Sequence, residues 1–290
     1  MTGRTPVRLP DRLPDRLPDV EAVARLITAA SDELVLPRFR HLAAGDVERK
    51  QTAYDPDDVV TAVDTDVERR LTADLNALTP GVPVLGEEAA HANAGALDLL
   101  RGDGPVWVID PIDGTRNFAA GDDGFGIMVA FVLGGLTRAA WVVLPARGQL
   151  FMGEEGSGVC LNGAPWRMPA SPDPGRPRGT IHSRYMAPAL QGPLEARATG
   201  RFQPVHKAGC AAIEYTTIVT GGADFALYFR LLPWDHAAPA FLLSEAGGVV
   251  AHAAGGRYTP RSANQLTVVA ASPAIADTVR GWLDDLPYFG

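Results

Sequence analysis

The chain has 290 residues, 46% of them hydrophobic and 21% charged, enough for one large domain or two packed ones and unlike a disordered or fibrous protein. Its formal charge of −8 lacks the basic footprint of a nucleic-acid binder, so no nucleic-acid partner is expected. No apolar run of membrane-spanning length occurs, so no membrane association is expected, and the two cysteines, Cys160 and Cys210, fit a reducing cytoplasm as small buried hydrophobes.

Residues 8–19 repeat Arg-Leu-Pro-Asp three times, and proline at every fourth position forbids a helix interior. An extended or disordered arm is expected over residues 1–19. Val20, Val23, Ile27, Ala30 and Leu34 recur at helical spacing and predict a helix over 20–42, which Pro37 kinks or ends. Residues 44–58 read as a polar loop. Thr65 and Glu68 form a candidate capping box for a helix striped by Val67, Leu71, Leu75 and Leu78. A short apolar stretch, 82–85, leads to Glu87 and Glu88, where a solvated loop is the plain alternative to a functional role. Val106–Ile109 reads as a buried strand running into Asp110. Strands at 126–133, 139–144 and 149–153 form a meander.

The Pro-, Arg- and Asp-rich stretch 170–178 divides an N-terminal half, 20–169, from a C-terminal half, 179–290. Helices are expected over 208–220, 236–246 and 273–284, and strands over 224–229 and 266–271. Neither a dinucleotide fingerprint nor a P-loop is present.

The most informative segment is Asp110-Pro111-Ile112-Asp113-Gly114-Thr115. A buried strand delivers Asp110, and the Pro and Gly allow a tight turn that returns Asp113 to the same place. Two carboxylates this close repel unless a cation lies between them, and Mg²⁺ takes such oxygen ligands together with phosphate. An ordinary Asp-rich turn is the alternative. Asp235, at the mouth of the 236–246 helix, reads either as an N-cap or as a further carboxylate for the cation. His236, beside it, reads as a surface histidine at a helix start, with a role as ligand or acid as the alternative.

Taken together, Asp58-Val-Val-Thr-Ala-Val-Asp64, Gly86-Glu87-Glu88, Trp107-Val-Ile-Asp110-Pro-Ile-Asp113-Gly-Thr115-Arg-Asn117-Phe118, Trp234-Asp235-His-Ala-Ala and Ser244-Glu-Ala-Gly-Gly248 resemble the inositol monophosphatase family of Mg²⁺-dependent, lithium-sensitive phosphatases. The resemblance implies a layered α/β/α/β/α sandwich, an α+β fold, and a family that commonly forms homodimers. It implies two or three Mg²⁺ ions: Glu87, Asp110 and the Ile112 carbonyl holding one, Asp110, Asp113 and Asp235 a second. It implies that Asp64 and Thr115 help Glu87 orient the attacking water, and that Gly114 and Thr115 meet the phosphate through backbone N–H groups. The implied partner is a small-molecule phosphate ester, a polyol or sugar phosphate. The alternatives are histidinol phosphate, fructose 1,6-bisphosphate or 3′-phosphoadenosine 5′-phosphate, and beyond these a non-catalytic regulatory protein on the same fold.

The chain departs from the family at one position. Where inositol-type members carry a Glu that meets substrate hydroxyls, seven residues before the Trp-Asp aspartate, this chain has Tyr228, followed by Phe229 and Arg230. Arg230 reads either as a surface arginine or as the partner of a second anionic group on the substrate, and Arg116 reads similarly.

Overall fold

The computed structural model describes residues 17–43, 45–50, 58–170, 173–186, 188–284 and 286. Most of the proline-rich arm lies outside these residues. Its last residue, Asp19, caps the first helix by accepting the N–H groups of Glu21 and Ala22, each at 3.0 Å.

The helices are α1 (Val20–Ala30), α2 (Ala62–Leu78), α3 (Glu87–Ala92), α4 (Thr115–Ala120), α5 (Pro188–Ala198), α6 (Ala211–Val219), α7 (Pro233–Glu245) and α8 (Pro273–Arg280). A short ribbon pairs β1 (Val47–Lys50) with β2 (Asp58–Thr61). A seven-stranded sheet follows in sequence order: β3 (Val84–Gly86), β4 (Val106–Asp113), β5 (Gly126–Leu133), β6 (Leu136–Leu144), β7 (Gln149–Glu154), β8 (Val159–Leu161) and β9 (Ala164–Trp166). Only its β3–β4 pair is parallel. A five-stranded sheet is built from β10 (Arg178–Ile181), β11 (Gln203–Pro204), β12 (Phe225–Tyr228), β13 (Val249–His252) and β14 (Thr267–Ala270), in the spatial order β11-β10-β12-β14-β13.

The alternation of side chains along each strand decides the layers. On β4, Trp107 and Ile109 face one side and pack with Val23 and Ile27 of α1 and Val67, Leu71 and Leu75 of α2. Val106 and Val108 face the other side and pack with α6 and α7 through Ile213, Ile218, Leu242 and Leu243. Those two helices also take Ala226 and Val269 from the second sheet. The opposite face of that sheet, Phe225, Leu227, Val268 and Ala270, packs on Leu190 and Leu194 of α5 and on Ile275 and Val279 of α8. The result is an α/β/α/β/α sandwich with α6 and α7 as its middle layer, as the sequence resemblance implies.

Three local expectations change. The first helix stops at Ala30, followed by one π-helical turn over Ser31–Val35, and Pro37 falls in the turn beyond it. Part of the 44–58 stretch is strand, because Val47–Lys50 and Asp58–Thr61 pair with each other. The capping box is Thr61–Asp64, not Thr65–Glu68: β2 runs through Thr61, so α2 begins at Ala62 and Thr65 already lies inside it.

Leu71 is fully buried between α2 and the seven-stranded sheet, whereas Leu78 on the same helix is 37% exposed. Leu71→Ala is expected to cost about 2–5 kcal/mol in urea unfolding, and Leu78→Ala less than about 1 kcal/mol.

Candidate active site

Asp110 and Asp113 are three residues apart, so a regular strand would send them to opposite faces. The register of β4 against β5 shifts between them: Asp110 lies opposite Met128, and Asp113 opposite Gly126. Three steps on β4 meet two on β5, so the extra residue is absorbed as a bulge and the alternation is reset. The strand therefore continues through Asp113, and the sharp turn comes at Gly114. That residue has φ 84°, and a Cβ on it would lie 2.8 Å from the Gly124 carbonyl oxygen, so the turn into α4 requires glycine.

Glu87 and Glu88 open the short helix α3 and do not sit in a loop. The Glu68 carboxylate reaches across from α2 and accepts the N–H groups of Glu88 at 2.8 Å and Ala89 at 2.9 Å. Two donors at the helix start are thereby satisfied, and the position of Glu87 is set. A Cβ on Gly86 would lie 2.2 Å from the Glu68 carboxyl carbon, so this approach depends on glycine. Glu68, expected from the sequence to close a capping box with Thr65, instead serves partners about 20 residues away in the chain, which local spacing does not reveal. Asp235 lies in the first turn of α7, whose N-cap is Leu232, so the N-cap reading of Asp235 does not hold.

These elements bring Glu87, Asp110, the Ile112 segment, Asp113, Gly114, Thr115, Arg230 and Asp235 to the wall of one cleft of about 130 Å³. Asp64 connects to it through Thr115, whose hydroxyl lies 2.9 Å from both Asp64 Oδ1 and the Ile112 carbonyl oxygen. Asp64 Oδ2 also accepts from the Thr61 N–H at 2.9 Å and the Thr61 hydroxyl at 2.5 Å. Tyr228 lines an adjoining chamber of about 200 Å³, which shares Asp113, Arg230 and Asp235 with the cleft.

The cleft stores electrostatic strain. Burial pushes the Asp110 carboxyl well above the usual carboxylate range, and Glu87, Asp113, Asp235 and Asp64 add to the rise. Its Oδ1 is buried with no hydrogen-bond partner. Burial, followed by the charge of Asp235, raises Asp113 to about 7, against hydrogen bonds from the Ala212 N–H at 2.6 Å and the Cys210 thiol at 3.1 Å. Burial raises Asp64 to about 6, opposed by its Thr61 and Thr115 bonds. A buried carboxylate oxygen with a vacant acceptor is costly, and a hard divalent cation both fills the vacancy and cancels the repulsion. The oxygen-only donor set and the orphaned Asp110 Oδ1 fit such an ion. Glu87, Glu88 and His91 also offer ligand atoms within 4.8 Å of one another.

Cys210 is buried beside Asp113, whereas Cys160 is only half-buried, because the side chains of β8 near the sheet edge are incompletely covered; both thiols are free. His236 is not a surface histidine. It is 2% exposed, because α7 is the middle layer of the sandwich. Its Nδ1 lies 3.0 Å from the Tyr215 hydroxyl and its Nε2 3.0 Å from the Arg230 carbonyl oxygen, and burial lowers its pKa to about 3. A neutral ring that accepts from Tyr215 and donates to Arg230 satisfies both contacts.

The sequence also carries no signal for a second polar group behind Tyr228. The Tyr228 hydroxyl donates to Glu214 Oε2 at 3.0 Å, and its ring stacks on His182 at 4.4 Å and 2°. His182 Nε2 is hydrogen-bonded to the same Glu214 oxygen. Burial alone would raise Glu214, but the bond and charge of His182 hold it below its usual range.

A layered sandwich with carboxylates gathered at strand ends and helix starts is an architecture that can gather cations around a phosphate ester. A model of the inositol monophosphatase family matches residues 17–281. The chain is 32% identical over 238 residues to the inositol-1-monophosphatase SuhB of Mycobacterium tuberculosis, covering 77% of each protein. It is 30% identical over 210 residues to a Thermotoga maritima protein named fructose-1,6-bisphosphatase/inositol-1-monophosphatase, covering 72% of this chain and 77% of that one. In fold it is similar to inositol monophosphatase II of Staphylococcus aureus, with a TM-score of 0.74, 23% identity and coverage of 93% and 94% of the two chains. The chain belongs to the inositol monophosphatase family and is a phosphoric monoester hydrolase. Among the described residues no helix is long and apolar enough to cross a membrane.

Two outcomes check this geometry. Glu68→Ala leaves two N–H groups at the start of α3 without their acceptor and is expected to cost about 1–3 kcal/mol in urea unfolding. In metal-free protein, Asp113 keeps its proton up to about pH 7 when folded but releases it near pH 4 when unfolded. Its contribution to stability is therefore present below about pH 4 and is lost as pH rises toward 7. Asp113→Asn is expected to flatten that decline in melting curves of chelated protein between about pH 4 and pH 8.

Proposed function

We propose that the chain hydrolyses a small polyol or sugar phosphate with Mg²⁺ as its cation, two or three ions per site. The observation that carries this reading is the buried, orphaned Asp110 oxygen among acidic neighbours at the floor of the cleft. Glu87, Asp110 and the Ile112 carbonyl would hold one ion, and Asp110, Asp113 and Asp235 a second. Bound there, divalent cations lower the pKa of water and offset the charge that builds on the leaving oxygen, which matters because phosphate monoesters hydrolyse extremely slowly unaided.

The protein's own groups supply orientation and proton handling. The Thr115 hydroxyl has one proton for two acceptors, Asp64 Oδ1 and the Ile112 carbonyl. By donating to Asp64 it exposes a lone pair to the attacking water and fixes the direction of that water's O–H bond. Asp64, with its pKa raised to about 6, is suited to accept the proton passed through Thr115 near neutral pH. Gly114 and Thr115 line the cleft at the start of α4, where their N–H groups would meet phosphate oxygens.

The names of the relatives support a phosphate ester as substrate, the family resemblance supports a lithium-sensitive homodimer, and the two cysteines without a disulfide support a cytoplasmic location. A division into halves 20–169 and 179–290 is supported by each half's carrying one of the two sheets, with Asp110 contributed by the first half and Asp235, on α7, by the second. The presence of Glu87, Asp110, Asp113, Asp235 and Asp64 together disfavours a non-catalytic role.

Phosphate release from a panel of esters, with Mg²⁺ or with chelator, tests the proposal. Turnover is expected only with the cation. Asp110→Asn should lower kcat/KM at least about a thousandfold and Thr115→Ala about a hundredfold, with Thr115→Ser recovering most of the loss. Full activity in Asp110→Asn would overturn the ligand assignment. No turnover of any ester would overturn the proposed substrate class.

A further inference from the structure

The chamber beside the carboxylate cleft has a different character. Arg116, Arg184 and Arg230 line it together with His182, Tyr185 and Tyr228. The acids on its wall are Asp113 and Asp235, both of which the proposed cation would also engage. Arg230 lies 3.4 Å from Asp235 and stands over the Tyr185 ring at 4.3 Å, where Arg184 also lies, at 5.7 Å. Tyr185 therefore gathers two guanidinium groups at one edge of the chamber through its ring face. Arg116, Tyr185 and Arg230 line the cleft as well, so the two spaces are continuous. Glu214 does not offset these charges, because it sits behind Tyr228 and His182 and accepts from both of them and from the Ala208 N–H.

We propose that Arg116, Arg184 and Arg230 form a subsite for a second anionic group, a phosphate or a carboxylate, on the non-reacting end of the substrate; the proposal rests on the phosphatase reading of the adjoining cleft. Guanidinium groups present planar pairs of donors that match both oxyanions. Three of them repel a substrate with an ammonium group at that end, which argues against histidinol phosphate. A neutral polyol fares little better. At position 228 the ring is stacked between His182 and Tyr215 and its hydroxyl is already bonded to Glu214, so no carboxylate at that position receives substrate hydroxyls. Sugar bisphosphates and phosphorylated sugar acids satisfy both spaces, with the reacting phosphate among the carboxylates and the second anion among the arginines.

Steady-state phosphate release with Mg²⁺ is measured for fructose 1,6-bisphosphate, 6-phosphogluconate, myo-inositol 1-phosphate and histidinol phosphate. The full-length chain is compared with Arg184→Gln, Arg230→Gln and the double variant. At least one of the two doubly anionic esters is expected to exceed myo-inositol 1-phosphate about tenfold or more in kcat/KM. That ratio should fall at least about tenfold in the double variant, mainly through KM, with partial recovery in Arg230→Lys. Preference for the bisphosphate alone assigns the subsite to phosphate, and preference for the sugar acid alone assigns it to carboxylate. Equal kcat/KM for anionic and neutral esters, or a ratio unchanged in the double variant, overturns the subsite. Calorimetry with a non-hydrolysable bisphosphonate separates the two proposals. Tighter binding to the wild type than to the double variant, without turnover of any ester, would sink the proposed hydrolysis and keep the anion subsite. Equal binding to both would sink the subsite.

Discussion

Mutual repulsion among buried carboxylates is the constraint on which the rest of this structure depends. Asp110 has lost its water, has no hydrogen-bond donor on one oxygen and feels four other acids. Such a group stays in place only if the surrounding chain is too rigid to relax away from it. The interior position of β4 supplies that rigidity: it is hydrogen-bonded to the edge strand β3 on one side and to β5 on the other and packed by helices on both faces. A site made on loops would spread until the charges reached solvent.

Each companion of Asp110 is held by a group from a different part of the chain. Asp113 is anchored by the start of α6, through the Ala212 N–H and the Cys210 thiol. Glu87 is set by the Glu68 carboxylate on α2. Thr115 is tied to Asp64, which closes the capping box of α2 at the same time. One helix therefore supports both the proposed proton path and a proposed cation ligand, and the hydrophobic stripe that fixes α2 on the sheet also fixes the geometry of both. In physical terms the core and the site cannot be separated, because the strain of gathered charge is offset by the packing energy of the layers around it.

The two adjoining spaces divide the recognition problem by sign of charge. The inner cleft is acidic and suits cations with the phosphate they carry. The outer chamber is rich in arginine and is walled by aromatic rings whose polar ends are already engaged. Asp235 and Arg230 form the hinge between the two, joined by a 3.4 Å contact.

The identity of the carboxylates was legible in the sequence because strand, turn and helix-start signals are local. An apolar run ending in Asp, a Gly directly before a Glu pair and a Trp-Asp at a helix mouth can each be read from neighbouring residues. The layer order was legible only through resemblance, since alternation says which residues share a face but not what covers it. Tertiary structure alone decided the bulge that turns Asp110 and Asp113 the same way, because strand register depends on the partner strand. It alone showed Glu68 reaching α3, His236 buried between sheets and Glu214 holding Tyr228 and His182 together, because these contacts join distant elements through long side chains. The sequence by itself determined which charged groups the protein has and where its strands and helices deliver them. The packing of two sheets around α6 and α7 decided which of those groups lose their water, and loss of water is what turns an acidic residue into a site that demands a cation.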